Sequence, residues 1–277
     1  MILDALLLVL GLVILTGGAE LLVRGGTAVA ERLGVSQLLI GLTVISFGTS
    51  APELAVSIKA GLANQGGIAI GNVIGSNIFN ASLILGVAAV ICPLRVHLNI
   101  IKRELPVLLV VTVLFSAILL YQDGLSRLAG TFLVAGIISY TILTARAEKR
   151  LSQAVGDDEL SSATPDLPEA VIGLTVVAAG TSLPELAASA MAAFRGKADM
   201  AIGNIVGSNL FNLLCIAGVT SMISPLDAGG IRWFDIGAML VTSLLLLPLM
   251  WTGFRLSRWE GVLLIASFGT YMFVTWP

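Results

Sequence analysis

The chain has 277 residues, 57% of them hydrophobic and 12% charged, with 15 Lys and Arg against 17 Asp and Glu and a mean hydropathy of +0.99. That balance excludes an ordinary soluble domain, and the lack of any basic run interleaved with aromatics argues against a nucleic-acid partner. It places the chain in a lipid bilayer, whose hydrocarbon core of about 30 Å needs apolar helices of about 20 residues.

Nine membrane segments are predicted, at about 3–23, 36–62, 68–91, 105–121, 126–145, 168–194, 200–223, 234–251 and 259–276. The first lacks the basic region and small-residue cleavage site of a signal peptide and reads as a retained helix. Its Glu20 and Arg24, four residues apart, are expected to pair with each other near an interface. Cys92 and Cys215 lack metal-type spacing and read as packing residues. His97, the only histidine, reads as a solvated loop residue beside Arg95 and Lys102. Arg146–Asp166 is the one long polar stretch and reads as a soluble linker, its Asp157, Asp158 and Glu159 solvated. The chain thus divides into a first repeat at 1–145, a linker at 146–167 and a second repeat at 168–277.

Those halves share an ancestor. GLTVISFGTSAPELAVS (Gly41–Ser57) aligns with GLTVVAAGTSLPELAAS (Gly173–Ser189), and AIGNVIGSNIFN (Ala69–Asn80) with AIGNIVGSNLFN (Ala201–Asn212), at a constant offset of 132 residues. Over Gly41–Gly86 against Gly173–Gly218, 24 of 46 positions are identical, most of them polar residues, Gly and Pro. Helices that merely faced lipid would share only hydrophobicity. A helix precedes the first copy, yet nothing like GGAELLVRGG precedes the second, so one helix is expected to be missing.

Charge placement bears on direction. With the N-terminus outside, nine crossings put 9 Lys and Arg inside and 6 outside, whereas a tenth crossing between Arg150 and Pro168 gives 12 inside and 3 outside. The positive-inside rule therefore asks for ten crossings, which also makes the two copies antiparallel. The polar linker is a poor candidate for that crossing, because each Asp, Lys or Arg near the bilayer centre costs about 2.5–3.5 kcal/mol.

The duplicated segments carry the chemistry. Pro52 and Pro184 lack the N–H that a helix needs and crowd the carbonyls of Gly48 and Gly180, which frees backbone oxygens for a cation. Glu53 and Glu185 are the acidic residues well inside these segments; a charge at that depth is costly and marks a functional site. Thr49, Ser50, Thr181 and Ser182 add neutral oxygens from the same turns. Calcium takes about six to eight such oxygens, and no soft ligand for a transition metal is at hand. Asn72, Ser76 and Asn80, like Asn204, Ser208 and Asn212, form one helical stripe, read either as interhelical packing or as completing an oxygen cage with Ser76, Asn80, Ser208 and Asn212. Gly71, Gly75, Gly203 and Gly207 are expected to let helices approach closely.

Through GTSAPE with GNVIGSNIFN and GTSLPE with GNIVGSNLFN, both halves resemble the calcium/cation antiporter superfamily, most closely its prokaryotic sodium/calcium exchangers. The resemblance implies an all-α polytopic membrane protein of two inverted-topology repeats, with ten helices where nine segments are visible and the sixth, a gating helix, lacking. It implies Glu53 and Glu185 as central ligands, joined by Thr49, Ser50, Thr181, Ser182, Ser76, Asn80, Ser208 and Asn212 and by the carbonyls of Ser46 and Ala178. Relatives often carry Asp where this chain has Asn212, a difference that argues against potassium co-transport. The implied function is exchange of Na+ for Ca2+ in a prokaryotic inner membrane, by a transporter and not an enzyme. Alternatives are a calcium/proton exchanger, a non-transporting ion-binding remnant and, with no Lys or His at the right depth to activate Ser50, an intramembrane hydrolase.

Overall fold

A computed structural model describes residues 2–154 and 181–275. The first half comprises α1 (Ile2–Leu33), α2 (Gln37–Thr49), α3 (Ala51–Leu62), α4 (Gly66–Ile91), α5 (Ile100–Gln122) and α6 (Arg127–Ala154). The second comprises α7 (Leu183–Phe194), α8 (Ala198–Ile223), α9 (Trp233–Trp251) and α10 (Arg258–Thr275). Four two-residue strands staple the loops: β1 (Leu94–Arg95) pairs antiparallel with β4 (Arg255–Leu256), and β2 (Gly124–Leu125) with β3 (Leu226–Asp227).

Among the described residues, α4, α5, α6, α8 and α9 are long and apolar enough to cross a membrane, and α2 with α3 makes a sixth span bent by 47°. The predicted segment 259–276 is α10, whose first turn carries Arg258 and Glu260. The segment 168–194 is seen only from Thr181 onward, and of the expected tenth crossing between Arg150 and Pro168 the part from residue 155 lies outside the described residues. The predicted segment 126–145 matches the apolar span Arg127–Ala147, beyond which α6 continues as a helix into the polar stretch to Ala154.

The centre of the molecule is formed by the duplicated helices. The apolar window of α8 is 89% buried and that of α4 67%, against 28% for α6, so α4 and α8 are core and α6 faces outward. Close approach explains part of this. A Cβ on Gly203 would lie 2.8 Å from the Leu38 carbonyl oxygen and one on Gly207 2.6 Å from that of Leu42, so only Gly lets α8 cross α2. For Gly71 and Gly75 the residues that match Leu38 and Leu42 at the 132-residue offset, 170 and 174, lie outside the described residues.

The strand pairs define two opposite ends of the molecule, and with them the direction of each helix. α4 begins at the β2–β3 end, where a Cβ on Gly66 would lie 2.4 Å from the Asp227 nitrogen, and finishes at β1. α8 begins at the β1–β4 end, where His97 Nε2 lies 3.3 Å from Asp199 Oδ2, and finishes at β3. The two copies of GNxxGSNxFN are thus antiparallel. α3 and α7, each leading into its own GN helix, are antiparallel as well. Arg95, Arg195, Lys197, Arg255 and Arg258 gather at the β1–β4 end, while Lys59, Arg127 and Arg232 lie at the other.

Two polar expectations change in detail. Glu20 pairs with Arg24 and also accepts from Arg195 Nε at 3.2 Å, which ties α1 to the end of α7. His97, though largely exposed, is the partner of Asp199 rather than a solitary loop residue. Cys92 and Cys215 are free thiols packed against the core, as expected. Buried Glu104 accepts from the Tyr140 hydroxyl at 2.5 Å, and its neighbour Arg103 donates to Thr144 at 3.2 Å, so α5 is pinned to α6.

With Cys92 and Cys215 replaced by Ala, single cysteines at Lys59 and Lys197 are expected to react with an impermeant maleimide from opposite sides of the membrane. Labelling of both from one side would contradict the antiparallel arrangement.

Candidate functional site

The site grows out of two helix starts. Ser50 and Ser182 are the N-caps of α3 and α7, with Pro52 and Pro184 in the first turn and Glu53 and Glu185 three residues after the cap. A proline there loses no helical hydrogen bond, so the break is a helix end at Ser50 and not a kink within a continuous helix. Ser50 N still bonds the Ser46 carbonyl at 3.0 Å, while the residue that would donate to Gly48 is Pro52, which has no N–H. Gly180 lies outside the described residues.

Ser-x-x-Glu at a helix start is the signature of a capping box, in which serine and glutamate satisfy their own helix. That box does not form here, for neither serine caps its own helix. Instead Ser50 Oγ donates to Glu185 Oε1 at 2.6 Å and Ser182 Oγ donates to Glu53 Oε1 at 2.9 Å. Each repeat's serine thus grips the other repeat's glutamate. Glu53 is 1% exposed and Glu185 0%, and neither has an ion-pair partner among the described residues.

A second tier holds these turns in place. Asn72 Nδ2 donates to the Glu53 carbonyl at 3.2 Å and to Ser57 Oγ at 2.9 Å; Asn204 Nδ2 donates likewise to the Glu185 carbonyl at 3.5 Å and to Ser189 Oγ at 2.9 Å. Each asparagine's oxygen then accepts from across the pseudo-two-fold axis, Asn204 Oδ1 from Thr49 Oγ1 at 3.3 Å and Asn72 Oδ1 from Thr181 Oγ1 at 3.5 Å. Asn72 and Asn204 therefore position the carboxylate-bearing turns. The sequence placed them on the polar stripe but not in this role, and the signal lay in Ser57 and Ser189, identical in both copies.

The rest of the stripe is different in kind. Ser76 Oγ lies within hydrogen-bond distance of Ser182 Oγ, at 3.2 Å. Asn80 and Asn212 begin or lie within π-helical turns, Asn80–Ile84 and Phe211–Ile216, which add a residue to the turn and often mark functional sites. Among the described residues, both polar atoms of each carboxamide are buried without a hydrogen-bond partner, as are Glu53 Oε2, Glu185 Oε2 and Ser208 Oγ. Each orphaned group costs about 1–3 kcal/mol, more when charged. Apart from the two amide nitrogens these atoms are oxygens, the donor type that hard cations take. Among the described residues no cluster of three His, Cys, Asp or Glu exists, and nothing soft competes.

Of the expected ligands, Thr49, Ser50 and Glu185 join one hydrogen-bonded set through Asn204, and Thr181, Ser182, Glu53 and Ser76 join a matching set through Asn72. Asn80, Ser208 and Asn212 are buried and unpartnered. The Ser46 carbonyl accepts from Ser50 N and lies 3.4 Å from Thr49 Oγ1. Ala178 lies outside the described residues. Two further asparagines, Asn77 and Asn209, occupy matching positions between α4 and α8, Asn209 Nδ2 donating to the Asn77 carbonyl at 3.4 Å.

The chain is similar to known proteins along most of its length. A family model described as sodium/calcium exchanger protein matches twice, over residues 3–146 and 136–276, so that part of α6 serves both matches. The chain is 33% identical over 310 residues to inner membrane protein YrbG of Escherichia coli, covering 97% of this chain and 95% of that one. It is also 33% identical over 344 residues to the sodium/calcium exchanger MaX1 of Methanosarcina acetivorans, covering 97% of each. Both alignments are longer than this chain's 277 residues, so the relatives carry segments without a counterpart here. A solved structure of the sodium-calcium exchanger NCX_Mj, soaked with zero Na+ and Ca2+, superposes with a TM-score of 0.82 at 30% identity and 99% coverage of each chain. Another, soaked with 2.5 mM Na+ and 1 mM Sr2+, gives 0.79 at 29% identity and 96% coverage. The chain is an integral membrane protein of the sodium/calcium exchanger family, its transporter fold built from two inverted repeats.

Proposed function

We propose that the chain is a secondary active antiporter that exchanges Na+ for Ca2+ by alternating access. One observation carries this reading above the rest: two fully buried carboxylates from antiparallel copies, each braced by the other copy's serine and each left with an unpartnered oxygen. Two negative charges in a low-dielectric interior are balanced by one dication or by monovalent cations, and the empty pair is costly. Ions that share one cage must replace each other, and an empty cage resists crossing between the two faces. Coupling follows from that cost.

Glu53 and Glu185 supply the charge, and Thr49, Ser50, Thr181, Ser182, Ser76, Asn80, Ser208 and Asn212 the neutral oxygens. The Ser46 carbonyl, at the C-terminal end of the half-helix α2, adds a backbone dipole of the right sign. Asn212 keeps the cage at two carboxylates, which fits exchange without potassium. The cation excess at the β1–β4 end makes that end cytoplasmic and puts the N-terminus outside, in the inner membrane of a prokaryote.

In proteoliposomes, an outward sodium gradient is expected to drive uptake of radioactive calcium, with no requirement for potassium, and Glu53→Gln or Glu185→Gln is expected to abolish it. Uptake driven by a pH gradient alone, or calcium binding without any flux, would overturn the proposal. Asn72→Ala and Asn204→Ala are expected to weaken calcium binding about tenfold or more each, as loss of a residue that orients a ligand does elsewhere. Unchanged calcium titrations of the purified variants would remove these residues from the site.

A further inference from the structure

The strand ladders at the two ends of the molecule follow one plan with opposite charge. In β1–β4, Leu94 faces Leu256 and Arg95 faces Arg255; in β2–β3, Leu125 faces Leu226 and Gly124 faces Asp227. The leucines of both ladders are buried in the core. The likeness extends to the backbone, since Phe254 before β4 and Asp123 before β2 both take left-handed conformations, with φ of 50° and 52°. At matching places, then, one end carries Arg95, Arg255 and Phe254 and the other carries Asp227, Gly124 and Asp123.

Arginine opposite arginine is an unfavourable pairing. Leu94 and Leu256 point into the core, so Arg95 and Arg255, both exposed, share the outer face of their ladder. Val96 N donates to the Phe254 carbonyl at 2.9 Å, which makes Arg95 and Arg255 a non-hydrogen-bonded pair, the kind whose side chains come closest. Like charges so placed destabilise a ladder. Neither arginine, nor the exposed Arg258 that follows β4, has an ion-pair partner among the described residues. Three acids of this end are already engaged. Glu20 is held by Arg24 and Arg195, and Asp199 lies 3.3 Å from His97. Glu260, near enough to feel the charge of Arg255, accepts from Ser257 N and Oγ at 2.7 Å each and from Thr252 Oγ1 at 2.9 Å.

We propose that Arg95 and Arg255 together hold the phosphate of an anionic phospholipid, with Arg258 beside it. Guanidinium groups present N–H donors that match phosphate oxygens, and a phosphate between the two cancels their repulsion. The location supplies the lipid. β1 joins α4 to α5 and β4 joins α9 to α10, so the ladder lies at the ends of membrane helices, where headgroups are. Trp251 at 57% exposure, Phe254 at 45% and Trp259 at 80% surround β4 with the aromatic side chains that settle at this level. A zwitterionic headgroup fits less well, because its ammonium would meet unpaired arginines.

The full chain in neutral detergent, stripped of lipid, is titrated with phosphatidylglycerol or phosphatidylcholine, and retained lipid is read by native mass spectrometry beside the melting temperature. Phosphatidylglycerol is expected to be retained in preference to phosphatidylcholine and to raise the melting temperature. Arg95→Gln and Arg255→Gln are each expected to weaken its binding about fivefold. Neither is expected to lower the lipid-free melting temperature, since each removes a repulsion, and Lys59→Gln at the opposite end is expected to change nothing. Undiminished binding by the double arginine variant, or equal binding of phosphatidylcholine, would overturn the proposal. So would a lower lipid-free melting temperature of the variants, which would show that the arginines serve the fold. Inorganic phosphate that stabilises the chain as well as phosphatidylglycerol does would replace the lipid with a free anion and overturn it too.

Discussion

The arrangement depends on the burial of two carboxylates with no basic residue to neutralise them among the described residues. Glu53 and Glu185 can be held there because each accepts a serine hydroxyl from the opposite repeat, and because the backbone carbonyl of each is gripped by an asparagine of the next helix. Such an arrangement works only if the two copies run in opposite directions, so that one N-cap faces the other's first turn. Antiparallel topology, the glycine crossings of α8 over α2 and the break at Ser50 all serve that one placement. A membrane protein that buries so much uncompensated oxygen needs a cation to complete it.

Much of this was legible in the sequence. The duplication, the paired Glu53 and Glu185 and the depth implied by their apolar surroundings follow from residue identity and hydropathy. The antiparallel sense follows from Lys and Arg placement, because charge sidedness reports on topology even where a crossing itself is hidden. Hydropathy located the apolar span of α6, which ends at Ala147, but not the end of the helix at Ala154, because polarity ends a membrane span and not a helix.

The crossed serine–glutamate pairs were not legible, and the reason is physical. Ser50-Ala-Pro-Glu53 is locally a capping box, and local propensity cannot reveal that both partners are claimed by residues more than a hundred positions away. The π-helical turns at Asn80 and Asn212 have no sequence signature of their own. Asn72 and Asn204 could have been found, since they and Ser57 and Ser189 are identical between copies at fixed spacing. The attachment of Arg195 to Glu20 joins α7 to α1, for which the sequence shows no second copy, so no internal comparison exposes it.

The central claim is that both repeats contribute to one cation site. The most direct test is anomalous diffraction from crystals of the chain soaked in strontium, which marks calcium positions without relying on transport. The account predicts a strong peak within bonding distance of carboxylate oxygens of both Glu53 and Glu185. A peak bound to only one repeat, or none at these residues while strontium orders elsewhere in the protein, would contradict it.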